Sequence, residues 1–246
     1  MIDLNFLLVA FFLPLFPFSI VFNALYTQVA HPLLRFIVVL AWPLVGVYLY
    51  QTLNPEVPDS LAVWAIATAA LYAFRTLAMR EVGIWTGYMA TSLFVVLWLP
   101  LQYGDANALY YAGLLAAPVA VLSLLVGALE TRFGAAYTKL YAGIALTVPR
   151  LSGVFVVVVL ATSATPIFPA FFVMLDVVTQ SSLMMAIALV ALWGLWSWTG
   201  ALLVQGMIVG DAAKEPVNDL DKSWTWLFSV GLAAYTVFGI MMSGAF

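Results

Sequence analysis

The chain has no cysteine, a single histidine and little charge: only 8% of its 246 residues are Asp, Glu, Lys or Arg. Without thiols there can be no disulfide, no thiolate nucleophile, no thiolate-held iron–sulfur cluster and no Cys-type zinc site. One histidine, His31, rules out a histidine metal cluster within the chain; it reads as an interfacial residue beside the first basic loop. The net charge is −3 and there is no basic run, so nothing would neutralise a phosphate backbone, and nucleic-acid binding is excluded. HExxH, GxSxG, a phosphate-binding glycine loop and paired intramembrane acids are missing too. That leaves no catalytic constellation, no metal site and no cofactor to assign; any enzymatic role would belong to a larger assembly.

What is present is apolar. Hydrophobic residues make up 65% of the chain and aromatics 15%, with a mean hydropathy of +1.10. Soluble domains carry about a quarter of their residues as charges, so water is not the main solvent here. A membrane crossing takes roughly 20 apolar residues, and the charges punctuate runs of that length. The runs give span 1 at Leu4–Leu25, span 2 at Leu34–Leu53, span 3 at Leu61–Met79 and span 4 at Val82–Leu101. Span 5 follows at Ala106–Leu129, span 6 at Leu151–Leu175, span 7 at Leu183–Val209 and span 8 at Trp224–Ala245. Such runs are too long for barrel strands. The expected fold is therefore all-α: a polytopic transmembrane bundle of about eight spans, read as one integral membrane domain over residues 1–246. The N-terminus lacks a basic n-region and reads as a retained first span.

Basic residues concentrate in cytoplasmic loops. Arg35, Arg75, Arg80, Arg132, Lys139, Arg150, Lys214 and Lys222 all fall at odd-numbered loops, on one face. Asp3, Glu56, Asp59, Asp105 and Asp176 fall on the other, with no Lys or Arg among them. Both termini should then face away from the cytoplasm, as expected of a protein in a bacterial inner membrane.

Span 6, LSGVFVVVVLATSATPIFPAFFVMLD, should break. Pro166 and Pro169 lack the N–H that a helix uses, and the released carbonyls must find partners in lipid. Thr162, Ser163 and Thr165 precede the break and are placed to supply some of them, which makes the segment a candidate ion path. Asp176 ends the span; a carboxylate beside hydrocarbon is a candidate proton acceptor. The alternative is a packing kink with a hydrated acid at the outer interface. Trp193, Trp196, Trp198, Trp224 and Trp226 read as an interfacial belt or a lipid- or partner-facing surface. The loop GDAAKEPVNDLDK reads as a docking edge or as a hydrated connector.

The stretch Gly127 to Asp176 resembles the second repeat of the antiporter-like membrane subunits: the L, M and N-type subunits of respiratory complex I and their Mrp-type relatives. The likeness lies in Gly127–Arg132 (GALETR) as a helix-ending turn, in Gly143, in Pro149 at the next helix start, and in Pro166 with Phe171 as a P-x(4)-F break. It implies that residues 60–246 match that family's last six helices, the C-terminal half of such a subunit, with 1–55 as two generic N-terminal spans. It also implies membrane subunits of a hetero-oligomeric complex as partners, with a peripheral catalytic subunit among the options.

The departures matter as well. Where the family has a histidine this chain has Leu115, and where it has an acid or lysine on the broken helix this chain has Met174. No lysine lies inside any span. The resemblance thus implies an antiporter-like subunit of a proton- or cation-translocating complex with an incomplete channel, of the respiratory, Mrp or inorganic-carbon uptake kind. The alternatives are a purely structural membrane subunit and a self-sufficient small carrier.

Overall fold

A computed structural model describes residues 3–138, 143–211 and 217–242. Lys139, Lys214, part of the last charged loop and the end of span 8 at Ala245 lie outside the described residues. The rest forms twelve helical segments: α1 (Leu4–Phe12), α2 (Phe18–Gln28), α3 (Pro32–Leu53), α4 (Leu61–Thr76), α5 (Val82–Val96), α6 (Trp98–Gln102), α7 (Ala108–Phe133), α8 (Ile144–Thr147), α9 (Pro149–Thr162), α10 (Pro169–Gln180), α11 (Leu183–Ile208) and α12 (Lys222–Met242). The one pairing outside helices among the described residues is an isolated bridge between Glu81 and Tyr137. Tyr137 also donates its hydroxyl to Glu81 Oε2 at 3.1 Å, and the Glu81 carboxylate raises the phenol above its ordinary titration range.

Helix boundaries follow local chemistry. Asp3 caps α1, its Oδ1 accepting from Asn5 N, and proline stands at the first position of α3, α9 and α10, where no intrahelical N–H is needed. Gly134, at φ +77, ends α7 in the left-handed region that favours glycine.

The chain is a polytopic transmembrane helical bundle, as its hydropathy indicates. Five stretches are long and apolar enough by length and composition to cross a membrane: Pro32–Leu53, Val82–Gln102 (α5 with α6), Ala108–Phe133, Leu183–Ile208 and Lys222–Met242. Leu61–Thr76 is shorter at 16 residues, and the pairs α1–α2 and α9–α10 make up the other two crossings. The expected break in span 6 is present: α9 stops at Thr162 and α10 starts at Pro169.

Span 1 departs from the sequence reading. The run Leu4–Leu25 is two helices, interrupted from Leu13 to Pro17. The physical reason is the one that breaks span 6: Pro14 and Pro17 supply no N–H. The two interruptions carry nearly the same tetrapeptide, Pro-Leu-Phe-Pro at 14–17 and Pro-Ile-Phe-Pro at 166–169. Spans 1 and 6 have opposite parity and so cross in opposite directions.

α5 and α7 form the middle of the bundle, with 89% and 72% of their spans buried, against 6% for α12. In lipid, association rests on close packing and internal hydrogen bonds. α3 lies along α7, and a Cβ at Gly127 would come within 2.2 Å of Pro32 Cγ, so the glycine of GALETR permits that crossing. Pro118 interrupts hydrogen bonding inside α7 and frees the carbonyl four residues earlier. That carbonyl, Leu114 O, accepts instead from Tyr235 Oη on α12 at 2.7 Å.

Candidate functional site

The break in span 6 is a bent segment from Ser163 to Phe168. Ala164 and Ile167 sit at positive φ, 52° and 89°, backbone that costs non-glycine residues about 1–2 kcal/mol each. Its carbonyls find partners mostly nearby. Thr165 Oγ1 donates to Leu160 O at 2.9 Å and Ser163 Oγ to Val159 O at 2.9 Å. Thr162 Oγ1 is buried and makes no hydrogen bond within the chain.

Another carbonyl of the break, Ala164 O, accepts from the indole of Trp193 at 2.8 Å. α12 closes the outside: Tyr235 stacks on Phe168 at 6.2 Å between ring centroids. A Cβ at Gly239 would lie 2.4 Å from Ile167 O, so only glycine allows that approach.

The tryptophans expected as a belt divide. Trp198, Trp224 and Trp226 are exposed, whereas Trp196 is fully buried and donates to Ser92 Oγ at 2.7 Å; Ser92 in turn donates to Ala69 O at 2.7 Å. Trp193 and Trp196 are therefore internal donors. The signal that could have separated them is their Pro- and Ser-bearing neighbours in other spans, which no local pattern reveals.

Asp176 lies on α10, half-buried near the acidic face. Its Oδ2 accepts from Tyr111 Oη in a short hydrogen bond and from Gln180 Nε2 at 3.0 Å. Gln180 Nε2 also reaches Asp105 Oδ2 at 3.3 Å. The structure thus gathers the loop acid Asp105, Tyr111 of α7 and Gln180 around the candidate acid, three partners that sequence reasoning missed. Gln180 alone was findable, since it stands four residues after Asp176 on one helix.

The largest omission is at the other end. Arg35, read as a loop residue, sits in the first turn of α3 and pairs with Glu130 of α7: Nη1 lies 2.9 and 3.0 Å from the two carboxylate oxygens. The side chains are only 11% and 29% exposed. The Arg35 guanidinium also stands 5.9 Å from the Tyr26 ring centroid.

Deeper in the bundle, Ser123 Oγ donates to Val119 O; Tyr26 Oη therefore donates to Ser123 Oγ, at 3.2 Å. Asn23 Nδ2 donates to Thr91 Oγ1 at 2.8 Å, and Thr91 donates to Gly87 O. Ser19 Oγ, just after the break in span 1, is buried without a partner. Each break therefore adjoins one orphan buried hydroxyl, Ser19 at the first and Thr162 at the second.

Most hydroxyls in this interior row, those of Thr91, Ser92, Ser123 and Ser163, give their proton to a backbone carbonyl. Neutral donors fixed in that way store no charge, and of these four bonds only Ser92 to Ala69 O joins two helices. Leu115 and Met174, where the resemblance led one to look for titratable groups, are 1% and 0% exposed. They form part of an apolar core between α7 and α10. From Pro169 to Asp176 is seven residues, about 10 Å along a helix, with no titratable side chain in between.

No family model matches the chain, and no curated protein matches it by sequence. Its fold does have solved counterparts. A chain of respiratory complex I from Thermus thermophilus superposes with a TM-score of 0.75 at 21% identity, covering 96% of this chain and 53% of the other. A chain of the archaeal membrane-bound sulfane sulfur reductase, a respiratory membrane complex, superposes at 0.78 with 15% identity, covering 94% and 51%. A chain of the Mrp complex from Dietzia sp. DQ12-45-1b gives 0.76 at 16% identity, covering 83% and 41%. The fold is thus shared with chains of these complexes, and this chain spans about half the length of those it matches.

Proposed function

We propose that the chain is an accessory or channel-incomplete antiporter-like membrane subunit of an energy-coupled complex that translocates protons or cations, contributing the broken-helix half of an ion path or holding the subunit that conducts. The observation that carries this reading is the combination of a helix break at mid-span with a broken span that bears no titratable side chain before Asp176. Pro166 and Pro169 shape the break, Thr162, Ser163 and Thr165 solvate it, and Asp176 exchanges a proton at the outer end. A buried orphan hydroxyl costs about 1–3 kcal/mol unless it is satisfied, so Ser19 and Thr162 are natural places for ordered water.

Beyond those two points the path stops, since Leu115 and Met174 are apolar and Asp176 is the one carboxylate on the broken span. A proton relay needs closely spaced groups that change protonation or hold water. Other membrane subunits are the partners, with a peripheral catalytic subunit an additional one. The basic face is cytoplasmic in this reading, both termini face outward, and the membrane is a bacterial inner membrane. The fold shared with chains of respiratory and Mrp complexes supports the general kind of function.

The test is Asp176→Asn in the assembled complex. Coupled transport should fall while the complex stays intact; unchanged transport removes Asp176 from the path. A purely structural subunit is the second reading, and the hydrogen bonds that Tyr111 and Gln180 give Asp176 favour it. It is selected if changes around Pro166 reduce assembly but leave transport per assembled complex unaltered.

A further inference from the structure

Between α9 and α12 runs a groove that the ion-path reading does not use. At its mouth is a cavity of about 280 Å³ lined by Arg150, Lys222, Thr225, Trp226 and Ser229. Ser229 also lines a second cavity of about 320 Å³, continuing between Gly153, Val154 and Val157 on one side and Leu232, Ala233 and Thr236 on the other.

The residues form two facing stripes. On α12 they recur at 222, 225, 226, 229, 232, 233 and 236, and on α9 at 150, 153, 154 and 157, each set one helical face. Both stripes begin with a cation at the helix N-terminus and become mostly apolar within two turns. The two N-termini lie together, so their dipoles add to the positive potential at the mouth.

The cations at the mouth are largely uncommitted. Among the described residues, Arg150 Nη1 donates to a backbone carbonyl, Leu220 O, at 3.2 Å. The nearby carboxylate of Asp219 accepts from the backbone N–H groups of Arg150, Leu151 and Leu220, capping α9. Among the described residues Asp221 is a second acid near the mouth, exposed beside Lys222. Trp226, 70% exposed, stands where an indole marks a membrane interface.

We propose that this groove binds one anionic phospholipid. Its phosphate sits between Arg150 and Lys222 with the hydroxyl of Ser229, Thr225 Oγ1 being already committed to Asp221 O at 3.0 Å, and an acyl chain runs along the apolar wall past Gly153 and Ala233. Charge complementarity at one end and a mostly apolar wall at the other select a molecule that is anionic at its head and apolar in its tail. The inference is independent of whether the chain conducts.

The experiment uses the full chain in mild detergent, delipidated and then titrated with phosphatidylglycerol or phosphatidylcholine, with bound lipid counted by native mass spectrometry. Phosphatidylglycerol should bind in preference. Arg150→Gln or Lys222→Gln should weaken it about fivefold each, and the double variant about thirtyfold. Arg80→Gln, which removes the same charge outside the groove, should leave binding unchanged. A Cβ at Gly153 meets nothing within 4 Å, so Gly153→Leu should fill the groove without disturbing the fold and exclude the lipid. Wild-type binding by the double variant overturns the proposal. So does loss in the double variant combined with intact binding in Gly153→Leu and full displacement by glycerol phosphate, which would make the mouth a site for free phosphate groups.

Discussion

The two helix breaks share a tetrapeptide and differ in how they are held. The break in span 6 is satisfied largely from its own neighbourhood, by Thr165 and Ser163 hydroxyls reaching back four or five residues, with one distant indole. The break in span 1 has no such hydroxyls before it. Its carbonyls are met from three other spans: Trp98 Nε1 donates to Leu13 O at 3.0 Å, Trp42 Nε1 to Phe11 O at 3.2 Å and Trp64 Nε1 to Phe16 O at 3.0 Å. The Phe16 N–H turns to Thr68 Oγ1 at 3.4 Å. Phe6, Phe22 and Trp42 then pack around it in a cluster of aromatic contacts. An interrupted helix in lipid can thus be satisfied by its own small polar residues or by indoles supplied from elsewhere. The second solution ties the break to the whole N-terminal half.

If that comparison is right, losses should be largest where the ties are long-range. Glu130→Gln leaves the Arg35 guanidinium without its counter-charge and should cost about 3 kcal/mol or more, since breaking a largely buried pair is costly; denaturation in detergent would read it, and a change below about 1 kcal/mol would mean that water already screens the pair.

Next comes Trp98→Phe, which keeps an aromatic side chain but deprives Leu13 O of its donor and leaves part of the buried indole's volume unfilled, and should cost about 2 kcal/mol or more. Trp193→Phe, at the partly self-satisfied break, should cost about half as much; equal losses would erase the distinction between the two breaks. Smallest is Thr165→Val, at well under about 1 kcal/mol, because Leu160 O still accepts from the Thr165 backbone N–H at 3.2 Å. Thermal melts of these variants in one detergent would rank all four.

Much of the fold was legible. Hydropathy located the spans because a run of about 20 apolar residues has one stable use, and Pro166 with Pro169 announced a break because a missing N–H acts locally. The same signal stood at Pro14 and Pro17, and repetition of the tetrapeptide was the clue to read it. The candidate site was legible only in part. Asp176 and the hydroxyls of the break stand out along the chain, but Tyr111 and Asp105 come to Asp176 from 65 and 71 positions away. Arg35 and Glu130, used in the sequence as punctuation, are a pair separated by 95 residues.

The sequence by itself determined the solvent, the class of fold, the number of crossings and the separation of basic from acidic ends, because each depends on composition averaged over one span. Which carbonyl meets which indole, which arginine finds which carboxylate, and that α9 and α12 leave a groove between them were decided by tertiary structure. Those outcomes depend on which faces of distant helices meet, and once water is excluded every buried polar group must take a partner from whatever packing brings within about 3 Å.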